Sequence, residues 1–405
     1  MGNKNSIRLI RPFNDFLSGR SRFFKLFMPF VICLFLNHGS QSVFGQASNS
    51  DFEKIKIGEA GFIFSGLDRS PDGNTVAFTE KQSSALKIVD WKNRRIVNEF
   101  KAGGWSAGSR ISYSNSGKYI LLQQLNYVGL VENKIRKIGF EIIDAASGKQ
   151  IRLFENVQDV VISNDEKYAL SLNNGEVIFW NLPDGSRGKS FTVPGAGNAI
   201  DITPDNRIIA VSHSITKEYL LGDSRYYKKK KAVKFAVKYK QLISLYDGQR
   251  FNRIKTIVEP YDIIYKLKFS PDGRLLFAFQ NPHLKAQVSQ KALTYINQID
   301  MDTKEPVRLG FTSQAISQPE IKLSNNQKMF ALNSRGNRFQ EIHLYDFESG
   351  TLLKRFELGY RLFEKSDGEK FVNDSRPSFV FLPGDQSILI AIGNRMILWN
   401  LEFNQ

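Results

Sequence analysis

Short apolar runs separated by tight turns make up most of the chain beyond residue 51. The best-preserved example is the segment 269–279, in which an apolar pair, the turn Ser270-Pro271-Asp272-Gly273 and a second apolar run follow one another. Pro271 presets φ at the first corner of the turn, and Gly273 can take the left-handed conformation that closes it. The segment therefore predicts a β-hairpin, and its unbroken apolar runs are typical of strands that are buried on both faces.

Weaker copies of this hairpin recur along the chain and define seven units. Each unit contains a four-residue turn that leads into an apolar strand, and the turns are 70–73, 114–117, 163–166, 203–206, 270–273, 324–327 and 382–385. Glu166, Gln327 and Asp385 occupy the fourth turn position, where glycine fits best. They predict either a cost of about 1 kcal/mol each or a different type of turn.

A second repeated feature is an apolar residue followed by Asp or Asn. It occurs in all seven units, at Val89-Asp90, Ile143-Asp144, Trp180-Asn181, Tyr246-Asp247, Ile299-Asp300, Tyr345-Asp346 and Trp399-Asn400. An Asx side chain can end a strand by accepting a hydrogen bond from the backbone two residues further on, which starts a tight turn. Another apolar strand follows several of these markers, so each complete unit is predicted to contain four strands.

Seven four-stranded units of about 50 residues resemble the blades of a seven-bladed β-propeller of the WD-repeat type, in the degenerate form of exported bacterial propellers. Trp180-Asn181 and Trp399-Asn400 are similar to the Trp-Asp dipeptide of that family, whereas its Gly-His pair before the innermost strand is absent. The resemblance implies an all-β fold of four-stranded antiparallel blades. A two-sheet sandwich is the rival fold, and the number of repeats favours the ring.

The two ends of the chain predict how such a ring would close. The sequence stops five residues after Asn400, which leaves no room for a fourth strand in the seventh unit. The alternating segment 52–57, FEKIKI, is left over before the first unit. We therefore expect it to pair as the outermost strand of the last blade, which also covers an open sheet edge.

Residues 1–47 have the pattern of an export signal. Basic residues precede an uncharged apolar core at 26–36, and the small residues Gly45 and Ala47 follow. A core of this length is too short to span a bilayer, which needs about 20 residues. We expect cleavage near Gly45 or Ala47, a propeller over 48–405 and a periplasmic or secreted protein; a membrane anchor formed by an uncleaved signal is the alternative.

The charge and cysteine content narrow the possible partners and chemistry. The net charge is +16, and most of this surplus lies beyond the leader, which contains six basic residues and one acid. A basic surface favours anionic partners. We expect a monomeric ring that binds a protein, an anionic polymer or a membrane surface, with nucleic acid disfavoured by export. Cys33 in the leader is the only cysteine, which excludes disulfides and thiolate chemistry from the propeller.

Loop lengths predict where binding takes place. Long connections in units two, four and five and before unit seven fall on the same rim of a propeller, and repeat proteins often bind through such a face. In the unit-four insertion, 214–240, apolar and basic residues alternate from Val233 onward, which predicts a basic hairpin arm that extends two strands. The alternative is a solvated strand whose lysines prevent edge aggregation. The candidate binding residues are Arg225, Tyr226, Tyr227, Lys228, Lys229, Lys230, Lys231, Lys234, Lys238 and Lys240.

Motifs that would indicate catalysis are missing from the sequence. It contains no Gly-x-Ser-x-Gly nucleophile motif, no His-Glu-x-x-His helix, no phosphate loop and no calcium loop. We predict a non-catalytic protein without cofactor or metal that binds a macromolecule through the insertion-bearing rim. The alternative is a propeller enzyme, a lactonase-like hydrolase or a dehydrogenase, that gathers residues from separate blades in its channel, where acidic side chains could bind a metal.

Overall fold

The seven units form a closed ring of antiparallel sheets. The structure is a computed structural model, and it describes residues 52–55, 64–81, 84–125, 138–182, 184–224, 226, 228–281, 294–307, 311–313, 319–335, 339–361, 363–366, 369–372, 377–393 and 395–401. Each unit forms one blade, the last of which is completed by a strand from before the first unit, and the predicted seven-bladed β-propeller is confirmed. The predicted export signal, 1–47, lies outside the described residues and stays a prediction.

Blades 1 to 3 each contain four consecutive strands, ordered from the channel to the outer edge. Strand β1 (Phe52–Ile55) precedes them and belongs to the last blade. Blade 1 consists of β2 (Phe64–Arg69), β3 (Thr75–Glu80), β4 (Ala85–Asp90) and β5 (Arg95–Lys101). Blade 2 consists of β6 (Ser109–Tyr113), β7 (Tyr119–Gln124), β8 (Ile138–Asp144) and β9 (Gln150–Val157). Blade 3 consists of β10 (Asp159–Ile162), β11 (Tyr168–Asn173), β12 (Glu176–Asn181) and β13 (Arg187–Thr192).

Blades 4 to 6 keep this order and carry additional elements. Blade 4 consists of β14 (Gly197–Ile202), β15 (Ile208–Ser214), β16 (Gln241–Asp247) and β17 (Arg253–Tyr261), with helices α1 (Lys217–Leu221) and α2 (Lys230–Tyr239) between β15 and β16. Blade 5 consists of β18 (Ile263–Phe269), β19 (Leu275–Asn281), β20 (Thr294–Asp300) and the short β21 (Glu305–Pro306) and β22 (Phe311–Ser313), which both pair with β20. Blade 6 consists of β23 (Ile321–Leu323), β24 (Met329–Arg335), β25 (Phe339–Asp346) and β26 (Leu352–Arg361).

Blade 7 closes the ring with a strand from each end of the propeller. A separate hairpin, β27 (Phe363–Ser366) and β28 (Glu369–Val372), precedes its strands β29 (Ser378–Phe381), β30 (Ser387–Ile392) and β31 (Arg395–Asn400). Strand β1 then pairs antiparallel with β31, with Phe52 opposite Trp399 and Ile55 opposite Met396. This confirms the predicted closure.

The first turn shares one backbone feature in all seven blades. Its fourth residue has a positive φ throughout, between 54° and 83°, at Gly73, Gly117, Glu166, Asn206, Gly273, Gln327 and Asp385. Glu166, Gln327 and Asp385 thus adopt the left-handed conformation in which a side chain is strained. In blade 7 the third turn residue, Gly384, also has a positive φ, of 83°, so a different type of turn, the alternative prediction, is found there.

The residue at this fourth position is matched to the turn of the preceding blade. Where that turn has Asn in second place, the fourth residue accepts a hydrogen bond from a backbone N–H of that turn: Glu166 from Ser116 at 2.5 Å, Asn206 from Asn164 at 3.0 Å and Asp385 from Asn325 at 2.7 Å. Where the preceding turn has Pro in second place, blades 1, 2 and 5 have glycine, and blade 6 with Gln327 departs from the rule. In blades 3, 4 and 7, the preceding turn therefore offers a backbone N–H, and the fourth turn residue provides the side-chain acceptor for it.

The Asx markers also perform the turn function that the sequence predicts. The carboxylates of Asp90, Asp144, Asp247, Asp300 and Asp346 accept hydrogen bonds from backbone N–H groups two or three residues further on. The pKa of all five carboxyl groups is lowered, by the hydroxyls of Ser147 and Ser349 first and then by the backbone bonds for Asp144 and Asp346, and by the backbone bonds first for the other three. In blade 3, Asp184 rather than Asn181 accepts the backbone N–H of the turn.

The hydrophobic core lies between the blades. Each of the seven contacts between neighbouring blades contains a cluster of buried apolar side chains. The contact between blades 7 and 1, for example, contains Phe64, Leu67, Leu382 and Leu389. The strands are apolar on both faces because each sheet packs against two neighbours, as the unbroken apolar runs predict.

The unit-four insertion is helical, and the predicted hairpin arm over 214–240 is wrong. Strands β15 and β16 pair until Ser214 lies opposite Gln241 and extend no further. The alternation from Val233 is coincidental, because Val233 and Ala236 are the buried positions of α2 and their spacing is helical. Lysine and alanine also favour helix over strand. Neither helix, nor any other in the described part of the chain, is long and apolar enough to cross a membrane.

Candidate functional site

The predicted binding residues cluster on and beside helix α2. Lys230, Lys231, Lys234 and Lys238 are exposed on the helix, and Lys228 and Lys229 are exposed immediately before it. Tyr226 is partly buried against the helices. Arg225 and Tyr227 lie outside the described residues. We call the exposed residues 228–231, 234 and 238 the lysine ridge.

The inner face of α2 fixes this ridge to blade 4. Val233 and Ala236 pack against Leu220 of α1 and Leu242 of β16, and all four side chains are buried. At the end of the helix, the Lys240 ammonium lies 2.6 Å from Asp262 Oδ1, just before blade 5 begins. Lys230, Lys231, Lys234 and Lys238 therefore sit on a docked helix rather than on a free loop.

The charges of the lysine ridge destabilise the helix that carries them. Lys230, Lys234 and Lys238 are spaced four residues apart, so like charges repel along one stripe by about 0.2–0.5 kcal/mol per pair. The cap residue Lys229 makes no side-chain capping bond, and the first turn has no acid where the helix dipole favours one. Phe235 and Val237, which flank the ridge, are 40% and 37% exposed. The arrangement thus places like charges side by side on an exposed face, where the Lys238 ammonium also lies 5.2 Å from the centroid of the Tyr239 ring.

A second set of charged side chains lines the central channel. These residues lie two or four positions before the first turn residue of their units, on or directly beside the innermost strands of blades 1 to 6: Asp68, Arg110, Asp159, Asp201, Lys266, Lys268, Glu320 and Lys322. The two positions share one face of a strand because side chains alternate. Four acids and four bases from six blades therefore meet around one space.

Several of these carboxylates join neighbouring blades. Asp68 accepts a hydrogen bond from Tyr113 N–H of blade 2 at 2.8 Å, and Asp159 accepts one from Ile200 N–H of blade 4 at 3.0 Å. Asp201 repeats the contact with blade 5 through Phe269 N–H at 2.6 Å. These bonds satisfy backbone donors of the inner strands, so part of the acidic set has a structural function.

Lys322 connects three further points of the ring. Its ammonium donates to Asp68 Oδ1 of blade 1 at 2.8 Å and to Ile111 O of blade 2 at 3.3 Å, and it lies 3.7 Å from Glu320 Oε1. Burial disfavours the charged ammonium, but attraction to Asp68 and Glu320 outweighs it and raises the pKa of Lys322. Lys322 therefore stays charged and forms a clamp across the channel.

The channel opens into a cavity of about 470 Å³, a size common for ligand pockets. Burial raises the pKa of the Asp159 carboxyl group and of Glu320, because low-polarity surroundings disfavour the charged form. Burial also lowers the pKa of Lys266, and repulsion from Lys268 and Arg110 adds to this effect. Attraction to the Asp159 carboxylate acts in the opposite direction and favours the charged ammonium of Lys266.

Sequence reasoning missed the channel residues although the repeats contain the signal. Aligning the units on their turns places every one of these charges in two columns, inside strands that are otherwise apolar. Charges in such strands are costly unless they face a polar space. The absence of a recognisable motif concealed them, because each blade contributes only one or two.

Comparison with known proteins supports the fold and goes no further. No family model matches the chain, and no curated protein matches it. Among solved structures, hydrazine synthase from Kuenenia stuttgartiensis is similar over 83% of this chain and 94% of that chain, with a TM-score of 0.53 and 12% identity. At that identity the likeness shows the propeller architecture alone.

Proposed function

We propose that this protein is an exported, non-catalytic propeller that binds an anionic macromolecule through the lysine ridge of blade 4. The observation that carries the proposal is the stripe of exposed lysines on a docked helix whose own electrostatics they disfavour. An acidic partner would remove the repulsion within the stripe and would also complement the positive end of the helix dipole.

An acidic polymer or protein segment suits the ridge better than a bilayer. The apolar inner face of α2 is occupied by the propeller, so it is not available to insert among lipid chains. Phe235 and Val237 provide limited apolar contact at the sides, as at the rim of a protein interface. Blade-to-blade links leave the ring on the same rim, which gives a long partner further surface.

We also propose that the blades are WD-repeat-like. Trp180 in blade 3 and Trp399 in blade 7 occupy equivalent places, one residue before an Asn that ends the third strand. Trp180 Nε1 donates to Ser171 Oγ of the neighbouring strand at 2.8 Å, and Trp399 stacks on Phe356 with 4.7 Å between ring centroids. Both contacts give the marker tryptophans a structural function within or between blades.

Binding of poly-L-glutamate to the purified full chain tests the docking function. The triple variant K230Q/K234Q/K238Q removes three charges, and glutamine keeps the helix propensity of lysine. We expect its affinity to fall about tenfold or more, since each exposed pair contributes roughly 0.5–1 kcal/mol. Raising the salt concentration should weaken wild-type binding and reduce the difference between the proteins.

A matched control separates the ridge from general charge. The variant K101Q/K149Q/K328Q removes the same number of positive charges from exposed positions on other blades. We expect it to bind poly-L-glutamate as wild type does. Equal losses in both triple variants would contradict the proposal, and binding to phosphatidylglycerol vesicles without binding to poly-L-glutamate would identify a membrane surface instead.

A further inference from the structure

Three lysines line the channel cavity, and one of them differs from the others in its surroundings. The ammonium groups of Lys322 and Lys268 lie 2.8 Å and 3.7 Å from aspartate carboxylates of blades 1 and 4. Lys266 of β18 is attracted by Asp159 of β10, but its burial outweighs this attraction and lowers the pKa of Lys266. Burial therefore favours the neutral amine of Lys266, at a position where the side chain lines an open space.

The charged groups around Lys266 come from its own strand and from three other blades. Lys268 of β18, Arg110 of β6 and Lys322 of β23 repel the ammonium, whereas Asp159 attracts it. Neighbouring cations and shelter from water are two conditions that activate a lysine as a nucleophile, because each favours the uncharged nitrogen that holds the reactive lone pair. The surroundings of Lys266 combine both conditions.

Asp159 provides a group for proton transfer in the same cavity. Its carboxylate accepts a hydrogen bond from Ile200 N–H at 3.0 Å through one oxygen and from Val160 N–H at 2.9 Å through the other. These bonds hold the carboxylate at the cavity wall, and burial raises its pKa. An acid whose pKa is shifted toward neutrality can take up a proton and return it, as a condensation reaction requires.

The charges of the cavity restrict the compound that this amine can accept. The lining contains four acids and four bases and therefore has no surplus charge. An iminium ion carries the same single positive charge as the ammonium group that it replaces, so its formation preserves this balance. A carbonyl compound with a carboxylate or phosphate group would add negative charge that the lining does not neutralise. The cavity volume of about 470 Å³ suits a small molecule.

We infer that Lys266 binds a small uncharged aldehyde covalently and reversibly, as an imine in the central cavity. Asp159 first accepts a proton from the Lys266 ammonium, and the amine nitrogen then attacks the carbonyl carbon. The C–N bond forms as the C=O double bond becomes a single bond, and a proton moves from nitrogen to oxygen to give a carbinolamine. Asp159 returns its proton to the hydroxyl group, which leaves as water while the nitrogen lone pair forms the C=N double bond. One ammonium and one aldehyde thus give one iminium and one water, with the Asp159 carboxylate as the counter-ion of the iminium.

Reductive labelling of the purified full chain tests this inference. The protein is treated at neutral pH with propanal and cyanoborohydride, which reduces an imine to a stable amine, and peptide mass spectrometry then measures the label on each lysine. We expect Lys266 to be labelled about tenfold faster or more than Lys149, an exposed lysine of blade 2, because an ordinary lysine with a pKa of about 10.4 is almost entirely protonated at that pH. Lys322, which stays charged, should be labelled more slowly than Lys266.

Matched variants and a charged aldehyde test the specificity of the label. K266M should lose most of the label that the wild type acquires at a low dose of propanal, and K149M should keep it. Thermal unfolding will establish that K266M folds, and mapping in the wild type locates the label independently of any variant. With glyoxylate, an aldehyde that carries a carboxylate, the ratio of labelling at Lys266 to that at Lys149 should be lower. Labelling of Lys266 no faster than Lys149, undiminished label in folded K266M, or an equal ratio with glyoxylate would overturn the inference.

The aldehyde site does not involve helix α2 and therefore goes beyond the docking function. The triple variant in the lysine ridge should be labelled at Lys266 as the wild type is. The site and the ridge can thus fail independently.

Discussion

Glu166 adopts a φ of 54°, a conformation that strains a side chain, and compensates through two contacts with the neighbouring blade. Its carboxylate accepts from Ser116 N–H at 2.5 Å and from Ser116 Oγ at 2.6 Å. In the turn of blade 3, hydrogen bonds to blade 2 therefore offset the cost of the left-handed conformation. Asp385 does the same for blades 6 and 7, where it accepts from the N–H groups of Asn325 and Asn326 at 2.7 Å each.

Two substitutions at Glu166 will separate the strain from the bond. Alanine loses both hydrogen bonds and keeps the left-handed strain, so we expect the free energy of unfolding to fall by about 1–2 kcal/mol. Glycine loses the same bonds but relieves the strain, and we expect a change of about 0.5 kcal/mol or less. Urea denaturation of wild type, E166A and E166G will measure both values. Equal destabilisation by alanine and glycine would show that backbone strain is not part of the balance.

At the scale of single elements, the apolar pattern predicted the strands well because each blade repeats the same physical solution. A strand between two neighbouring sheets must be apolar on both faces, and the turn and marker residues locate its ends. The insertion was harder to predict, because a short run such as 230–239 satisfies the periods of both strand and helix. Whether this run forms a strand or a helix depends on the apolar surface formed by Ile215, Leu220 and Leu242, against which the helix packs.

The channel site could not be derived in the same way. Its charges are separated by whole blades in the sequence, and only ring closure brings Asp68 of blade 1 next to Lys322 of blade 6. Spacing along the chain contains no information about such contacts until the register of all units is fixed. The two columns of charged positions would have identified the candidates, but not their pairings.

Two adjacent residues of α2, one buried and one exposed, test whether the insertion is helical. Ala236 is 3% exposed and packs against blade 4, whereas Val237 is 37% exposed. We expect A236D to destabilise the docked insertion by about 2 kcal/mol or more, because it places a carboxylate in an apolar cluster. We expect V237D to change stability by roughly 0.5 kcal/mol or less.

Limited trypsin digestion will report on the insertion itself, since Lys228–Lys231 offer cleavage sites beside it. The A236D protein should be cut there much faster than wild type, and V237D should be cut at the wild-type rate. A strand arm would have placed Ala236 and Val237 on opposite faces with Val237 inside. Faster cleavage of V237D than of A236D would therefore contradict the helix.

At the scale of the whole molecule, the ring is held at its closure and across its channel. Strand β1 covers the edge of β31, and an apolar cluster fills the contact between blades 7 and 1. Ser378 of blade 7 extends the polar network, since its hydroxyl accepts from Leu67 N–H at 2.8 Å and donates to Glu320 Oε1 at 3.0 Å. Lys322 then joins blades 6, 1 and 2 through Asp68 and Ile111 O.

The Lys322 clamp predicts strong coupling between distant blades. Lys322 and Asp68 side chains are 16% and 15% exposed, so removal of either partner leaves a poorly solvated charge. We expect K322M to destabilise the protein by about 3–5 kcal/mol, and the double variant K322M/D68N to lose less than the two single variants together. The side-chain amide introduced by D68N would still offer an oxygen to Tyr113 N–H, so the cycle isolates the ion pair. Additive losses would mean that the two residues act independently.

The pH dependence of stability provides a second test of the Lys322–Asp68 ion pair. The pKa of Lys322 is raised in the folded protein, so its contribution is fully present below the unfolded value of about 10.4 and is lost as the pH rises through the folded value. The difference in unfolding free energy between wild type and K322M should therefore stay constant from neutral pH to about pH 10 and shrink only above it. Denaturation series across this range will measure the difference, and a decline that begins near neutral pH would show that Lys322 is not the charged centre of the clamp.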